Sequence, residues 1–158
     1  MNLLVVNWLD RLNPQAGGAE IHLFEIFRRL AARGHRVRLV CSGWPGAPPV
    51  EMVDGIEVTR VAGRNSFALA ARGAVRRALA RERPDVVVEV LGQLEPARTI
   101  VAEALARGIA VVTANKSLIA AHGARHYEVV KSTARGRTTT GVRPLTGTER
   151  EEEIARLL

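Results

Sequence analysis

The chain has 158 residues, 47% of them apolar, 4% aromatic and 25% charged, with a formal charge of +7. That length fits one domain with a proper core, and a mean hydropathy of +0.02 suits a soluble globular protein. No apolar run approaches the roughly 18 residues of a membrane span, and the N-terminus has no signal-peptide pattern. Cys41 stands alone. An intramolecular disulfide is therefore excluded, and a reducing, cytoplasmic compartment is expected. Lys116 and Lys131 are the only lysines, so the positive charge is nearly all arginine. The charge favours phosphate-rich or anionic-membrane partners in a salt-sensitive way, while the few aromatics argue against a base-stacking nucleic-acid binder.

In chain order, Leu3 to Asn7 reads as a buried parallel strand. Asn13-Pro14-Gln15-Ala16-Gly17-Gly18-Ala19-Glu20 follows as a glycine turn. It leads into a helix over Ala19 to Arg33 with Leu23, Phe24, Phe27, Leu30 and Ala31 on one face. Gly34 stops that helix. His35 to Cys41 alternates as a second strand, and Gly43 to Pro49 is a loop. Asp54-Gly55 is a hairpin signal joining Val50–Val53 to Ile56–Val61.

Ser66 to Arg83 reads as an alanine- and arginine-rich helix with Ser66 as its N-cap. Val86 to Val90 is a strand, Glu95 or Pro96 opens a helix that stops at Gly108, and Ile109 to Thr113 is the next strand. Ser117 to His122 reads as a short helix ended by Gly123. Strands alternating with helices predict a Rossmann-like, doubly wound, mainly parallel α/β sheet over residues 1–124. Beyond it, Tyr127–Lys131 and Thr138–Val142 read as a hairpin, and Thr148–Leu158 as a final helix with a capping box from Thr148 to Glu151. Residues 125–158 are thus expected as a hairpin-helix extension packed on the domain. The abrupt end at Leu157-Leu158 suggests a truncated or composite reading frame.

The glycine turn, between a strand and a helix N-terminus, is a ready anion site, since backbone N–H groups point at the ligand there. It nominates Gly17, Gly18, Ala19 and Glu20 as phosphate-binding residues. The bland alternative is a turn that only lets the helix pack. No metal-ligand spacing occurs among the histidines and Cys41. The arginine-rich face of Arg72, Arg76 and Arg83 is read as solvated, with nucleic-acid contact as the minority reading. Cys41 is read as a small buried hydrophobe. Glu89 and Glu95 flank one loop without a spacing that forces them together.

Residues 1–89 resemble the N-terminal domain of glycosyltransferase family 4. The resemblance rests on Asn13-Pro14 with Gly17-Gly18-Ala19-Glu20, on Glu25 to His35, on Asp54-Gly55-Ile56 and on Arg81 to Glu89. It implies one half of a two-Rossmann fold, the half that mainly holds the acceptor, with the glycine loop approaching the donor diphosphate. Residues 84–124 resemble homoserine dehydrogenase through Val88 to Arg98 and Val111-Val112-Thr113-Ala114-Asn115-Lys116. That resemblance implies cofactor-side roles for Gly92, Thr113 and Asn115, and makes Lys116 the candidate catalytic group, although the G-x-G-x-x-G fingerprint is absent. Residues 125–158 resemble the C-terminal end of the DNA-repair ATPase RecN through Arg125-His126-Tyr127, Gly136-Arg137-Thr138 and Val142 to Leu145.

Three matches in series imply a chimera. The expected function is a glycosyltransferase-like acceptor-side domain, incomplete in catalysis by itself. The alternatives are an NAD(P)-binding dehydrogenase-like remnant and a recombined or designed scaffold without activity. The candidate ligands are a nucleotide-sugar, a sugar acceptor or NAD(P).

Overall fold

The computed structural model describes residues 1–134 and 137–144, with side chains through residue 121. The final predicted helix over 148–158, and Arg135-Gly136 of the predicted turn, lie outside the described residues.

Leu3, Leu4, Val5 and Val6 are all buried, so β1 (Asn2–Val6) is covered on both faces, as a central parallel strand must be. It pairs in parallel with β2 (Arg36–Gly43) on one side and β5 (Val86–Glu89) on the other. Outside β2 lie β4 (Ile56–Gly63), parallel to it, and β3 (Val50–Val53), antiparallel at the edge. Outside β5 lies β6 (Ala110–Thr113), again parallel. An antiparallel hairpin of β7 (Tyr127–Ala134) and β8 (Arg137–Pro144) continues the sheet through β8 against β6. The order is β3-β4-β2-β1-β5-β6-β8-β7, one eight-stranded sheet. This is the expected Rossmann-like α/β fold, with β1 at the centre.

The period of 2 along each strand divides the apolar residues between two layers. On one face Leu3, Val5, Val37, Leu39, Ile56 and Val58 pack under α1 (Gly18–Ala32) through Phe24 and Phe27. On the other, Leu4, Val6, Val40, Val87 and Val111 pack under α2 (Phe67–Arg81) and α3 (Ala97–Ala106). Trp8 meets Phe67 edge to face, with ring centroids 5.2 Å apart. Leu118, on α4 (Lys116–His126), joins the second layer.

Three local expectations change. Helix α4 runs through Gly123 to His126, so that glycine does not end it; an interior glycine costs a helix only about 1 kcal/mol. Ser66 precedes α2 but does not cap it, because its hydroxyl turns back to Gly63. β2 does not alternate between buried and exposed. Arg38 and Ser42 are buried among its apolar residues, with Ser42 donating to the Trp8 carbonyl at 2.7 Å and Arg38 donating to the Ala78 and Glu82 carbonyls at the end of α2. Arg38 thus adds donors to carbonyls at the end of α2, where the Ala78 carbonyl also accepts the Glu82 N–H.

The Asp54-Gly55 hairpin is as predicted. Asp54 and Gly55 have φ of 50° and 80°, the left-handed pair of a two-residue turn. A Cβ on Gly55 would also lie 3.3 Å from the Ala31 Cβ. We expect Gly55→Ala to destabilise the fold by about 1–2 kcal/mol through left-handed strain. Urea denaturation of the variant checks this, and an unchanged midpoint would refute the assignment of strain.

Candidate functional site

In open parallel sheets a ligand crevice forms beyond the C-terminal strand ends, where the strand order reverses. Here it reverses at β1, between β2 and β5. The loops that follow β1, β2, β4 and β5 enclose two clefts that share Arg64. One, of 710 Å³, lies between the β1–α1 loop and the segments after β2 and β4; Asn13, Gln15, Trp44, Arg60, Ala62 and Arg64 are among its walls. The other, of 620 Å³, is nearer the reversal point and is bordered by Trp8, Glu20, Arg64, Asn65, Leu91 and Gly92.

A buried ion pair holds the floor of the larger cleft. Asp10 follows β1 and is fully buried. Its Oδ2 accepts from Arg60 Nε at 2.7 Å and from Cys41 Sγ at 3.4 Å, while its Oδ1 accepts the Leu12 N–H at 2.8 Å. Arg60 Nη1 also reaches Glu51 Oε2 at 2.7 Å and the Pro48 carbonyl at 3.1 Å, and its guanidinium stacks 4.5 Å from the Trp44 ring centroid. Burial works hardest against the Arg60 charge, yet hydrogen bonds and attraction from Asp10 and Glu51 together raise its pKa. Burial, then the Asp10 charge, push the Cys41 thiol far above its ordinary value. Cys41 is therefore a protonated donor in this network as well as a packing residue.

Sequence reading missed Asp10 and Arg60. The signal was present in the alternation of β4: Ile56, Val58 and Arg60 occupy one face, so Arg60 stands at an inward position.

The glycine turn is built differently from a simple packing turn. Gly17 is the N-cap of α1, with φ of −121°, and no side chain caps the helix start. Its own N–H donates to Glu20 Oε2 at 2.8 Å. A Cβ on Gly18 would meet nothing within 4 Å, and one on Gly17 would meet only Glu20 Oε2 at 3.7 Å. Neither glycine has the positive φ that demands glycine, and no other part of the described protein crowds them. The open side of the turn, with the first-turn N–H groups that lack intrahelical partners, faces outward at Gly17, Gly18 and Ala19.

The remaining predicted residues divide. Gly92 has φ of 73°, is exposed, and shares the smaller cleft with Glu20. Thr113 and Asn115 border neither cleft; they are buried around Glu89. Glu89 is fully buried at the end of β5 and accepts from the Leu91 N–H at 2.7 Å and from Thr113 Oγ1 at 2.5 Å. Asn115 Nδ2 donates to the Gln93 carbonyl at 2.6 Å, and Asn115 Oδ1 accepts the Leu118 N–H at the start of α4. Lys116 is exposed at the first position of α4 and borders neither cleft. Glu95 pairs with Arg98 on the surface, away from Glu89's partners.

Much of the arginine face is committed within the protein. Arg76 pairs with Glu103, Arg81 with Glu57, and Arg83 donates to the Arg107 and Gly108 carbonyls at the end of α3. Among the described residues no group of three or more His, Cys, Asp or Glu side chains could hold a metal, and no helix is long and apolar enough to cross a membrane.

The sequence profile described as Glycosyltransferase Family 4 matches residues 16–141. That span extends past residue 89 and across the segment that resembles a dehydrogenase. Shorter similarities accompany it. Homoserine dehydrogenase of Corynebacterium glutamicum is 57% identical over 44 residues, 28% of this chain and 10% of that protein. Its counterpart from Mycobacterium tuberculosis is 52% identical over 46 residues, 29% of this chain and 10% of that protein. The DNA repair protein RecN of Deinococcus radiodurans is 42% identical over 92 residues, 54% of this chain and 16% of that protein, a stretch longer than residues 125–158. The chain spans about a tenth of the length of these dehydrogenases.

Two stability outcomes follow from the buried groups. Asp10→Ala leaves the Arg60 charge and the Cys41 thiol without their shared acceptor, and should cost about 3–5 kcal/mol. Glu89→Ala strands the Leu91 N–H and the Thr113 hydroxyl and should cost about 1–3 kcal/mol. Chemical denaturation measures both; a loss under ~0.5 kcal/mol in either variant would show that the corresponding network is not holding its loops.

Proposed function

This chain belongs to glycosyltransferase family 4, and from that premise we propose that it is the acceptor-side Rossmann domain of such an enzyme, incomplete for turnover by itself. The observation that carries the reading is the open cleft of 710 Å³ at the C-terminal edge of the sheet, beside a helix-start glycine turn whose glycines are not required by positive φ or by crowding among the described residues. Two adjacent glycines without a side chain leave the backbone N–H groups of the helix start open to close approach by a ligand. In this reading the cleft takes the acceptor and the turn at Gly17-Gly18 takes a phosphate of the nucleotide-sugar. Glu20 now accepts from the Gly17 N–H, so an arriving phosphate displaces that carboxylate.

The competing reading, an NAD(P)-binding remnant centred on Lys116, has less support. Thr113 and Asn115 spend their polar groups on Glu89 and on neighbouring backbone. The G-x-G-x-x-G fingerprint that a dinucleotide site carries after its first strand is absent from the turn after β1. We read the chain as composite: the dehydrogenase-like piece supplies β5, α3 and β6, elements that any Rossmann-like sheet can place beside β1. The fold alone carries no dehydrogenase chemistry.

Transfer needs several groups positioned together, and misplacement by about 1 Å can cost on the order of 10²-fold. We expect no glycosyl transfer and no homoserine oxidation by the 158-residue protein. A coupled assay with donor sugars and a spectrophotometric assay with nicotinamide cofactor and homoserine measure these. Oxidation above a Lys116→Ala control would overturn the reading. Nucleotide-sugar titration by calorimetry tests the turn separately. Gly18→Val should abolish phosphate-dependent binding and leave the thermal midpoint within a few degrees, because a side chain there meets only open space. Unchanged binding would make the turn purely structural.

A further inference from the structure

The larger cleft has an asymmetry of charge that the acceptor-side reading does not itself require. Among the described residues its charged walls are Arg60 and Arg64, and no acidic side chain of those residues lines it. Asp10 and Glu51, which balance Arg60, sit on that guanidinium's Nε and Nη1. Its third nitrogen, Nη2, is buried and has no hydrogen-bond partner among the described residues. The Arg60 side chain is 1% exposed, and the Trp44 ring lies over its guanidinium. A buried guanidinium N–H left unmade is costly, and proteins keep few of them. Arg64 stands at the rim, exposed. It donates from Nη1 to Gln15 Oε1 at 2.8 Å and has no carboxylate within ion-pair distance among the described residues. On α2, Arg76 and Arg81 are matched by Glu103 and Glu57, whereas Arg64 is an unspent cation in a concave site among the described residues.

We propose that this cleft binds an acceptor bearing an anionic group, a carboxylate or a phosphate, with the anion on Arg64 and the Nη2 of Arg60 as the inner donor. The proposal rests on the acceptor-side reading and narrows it to acidic acceptors. Planar guanidinium groups suit both anions because they donate in a fork. Trp44 covers the inner donor, so a ligand that reaches Nη2 shifts the Trp44 ring, which gives binding its own optical signal. The two carboxylates behind Arg60 limit what that residue offers to one donor direction. Most of the attraction therefore belongs to Arg64 and weakens with salt.

The test uses the whole chain and four probes: glucose, glucuronate, glucose 6-phosphate, and phosphatidylglycerol vesicles in phosphatidylcholine. A Trp8→Phe background leaves Trp44 as the reporting tryptophan. Glucuronate or glucose 6-phosphate should change Trp44 fluorescence and bind at least tenfold more tightly than glucose. Arg64→Gln, at an exposed position, should remove about tenfold or more of that affinity without moving the thermal midpoint. Arg60→Lys, which keeps a charge for Asp10 but loses the fork, should weaken the same ligands. Its thermal midpoint shows whether it folds, and Arg64→Gln decides the matter if it does not. Vesicle co-sedimentation lost in Arg64→Gln would assign the anion to a lipid headgroup; binding of the soluble acids alone would assign it to a sugar acid. If glucose binds as well as the acids and Arg64→Gln changes nothing, the acidic-acceptor proposal falls and the acceptor-side reading stands. If glucose 6-phosphate binding is lost in Gly18→Val and kept in Arg64→Gln, the anion belongs to the glycine turn and the proposal falls. If no probe binds, both readings fall.

Discussion

The cleft side of this molecule depends on one charge pair that water does not reach. Asp10 lies in the loop after β1, Arg60 lies within β4, and β2 runs between those two strands. Removing two charges from water is costly, and the return depends on full hydrogen bonding. Asp10 meets that demand with Arg60, Cys41 and the Leu12 N–H; Arg60 meets it on two of its three nitrogens. The pair therefore fixes the β1–α1 loop against the β2–β3 region. Those two segments are the opposite walls of the larger cleft. Ala62, at the same rim, is held at φ of 55°, a conformation that non-glycine residues adopt at a cost of about 1–3 kcal/mol. The rim is held in a single shape by contacts beneath it.

The two clefts differ in charge. Among the described residues the smaller is bordered by Glu20 as well as Arg64, while the larger is bordered by Arg60 and Arg64 with no acidic side chain; Gly17 and Gly18 border neither. Arg64 lies on the boundary and belongs to both.

The fold was legible because its signals are local and repeated. Two-faced burial of Leu3 to Val6 marked the central strand, and Asp54-Gly55 marked the hairpin. Gly34 and Gly108, with φ of 83° and 65°, marked two helix ends. Gly123 carried the same letter and misled, because a glycine ends a helix only where the chain turns left-handed, and α4 continues through it. The glycine turn was legible as a loop, but its open surface was not, since free space around a missing Cβ is a tertiary property. The Asp10–Arg60 pair joins residues 50 apart in sequence. Only the inward register of Arg60 on β4 hinted at it, and a charged residue at an inward position is ordinarily discounted in favour of the surface.

In the segment that resembles a dehydrogenase, the polar side chains near the end of β6 are committed to contacts within the protein. Thr113, Asn115 and Lys116 stand together in sequence, at the end of a parallel strand where a cofactor could be met. In this chain Glu89, at the end of the neighbouring strand, draws Thr113 inward, while the Asn115 amide ties the Gln93 carbonyl to the start of α4. A buried carboxylate with no cation within ion-pair distance among the described residues is stable only while these donors stay on it. A ligand that recruited Thr113 would leave Glu89 under-satisfied in an apolar layer, and the gain from the new contact would have to exceed that loss. Lys116 is exposed and makes no hydrogen bond or ion pair from its side chain among the described residues. The same network ties the ends of β5 and β6 together and commits the polar groups of Thr113 and Asn115 within the protein.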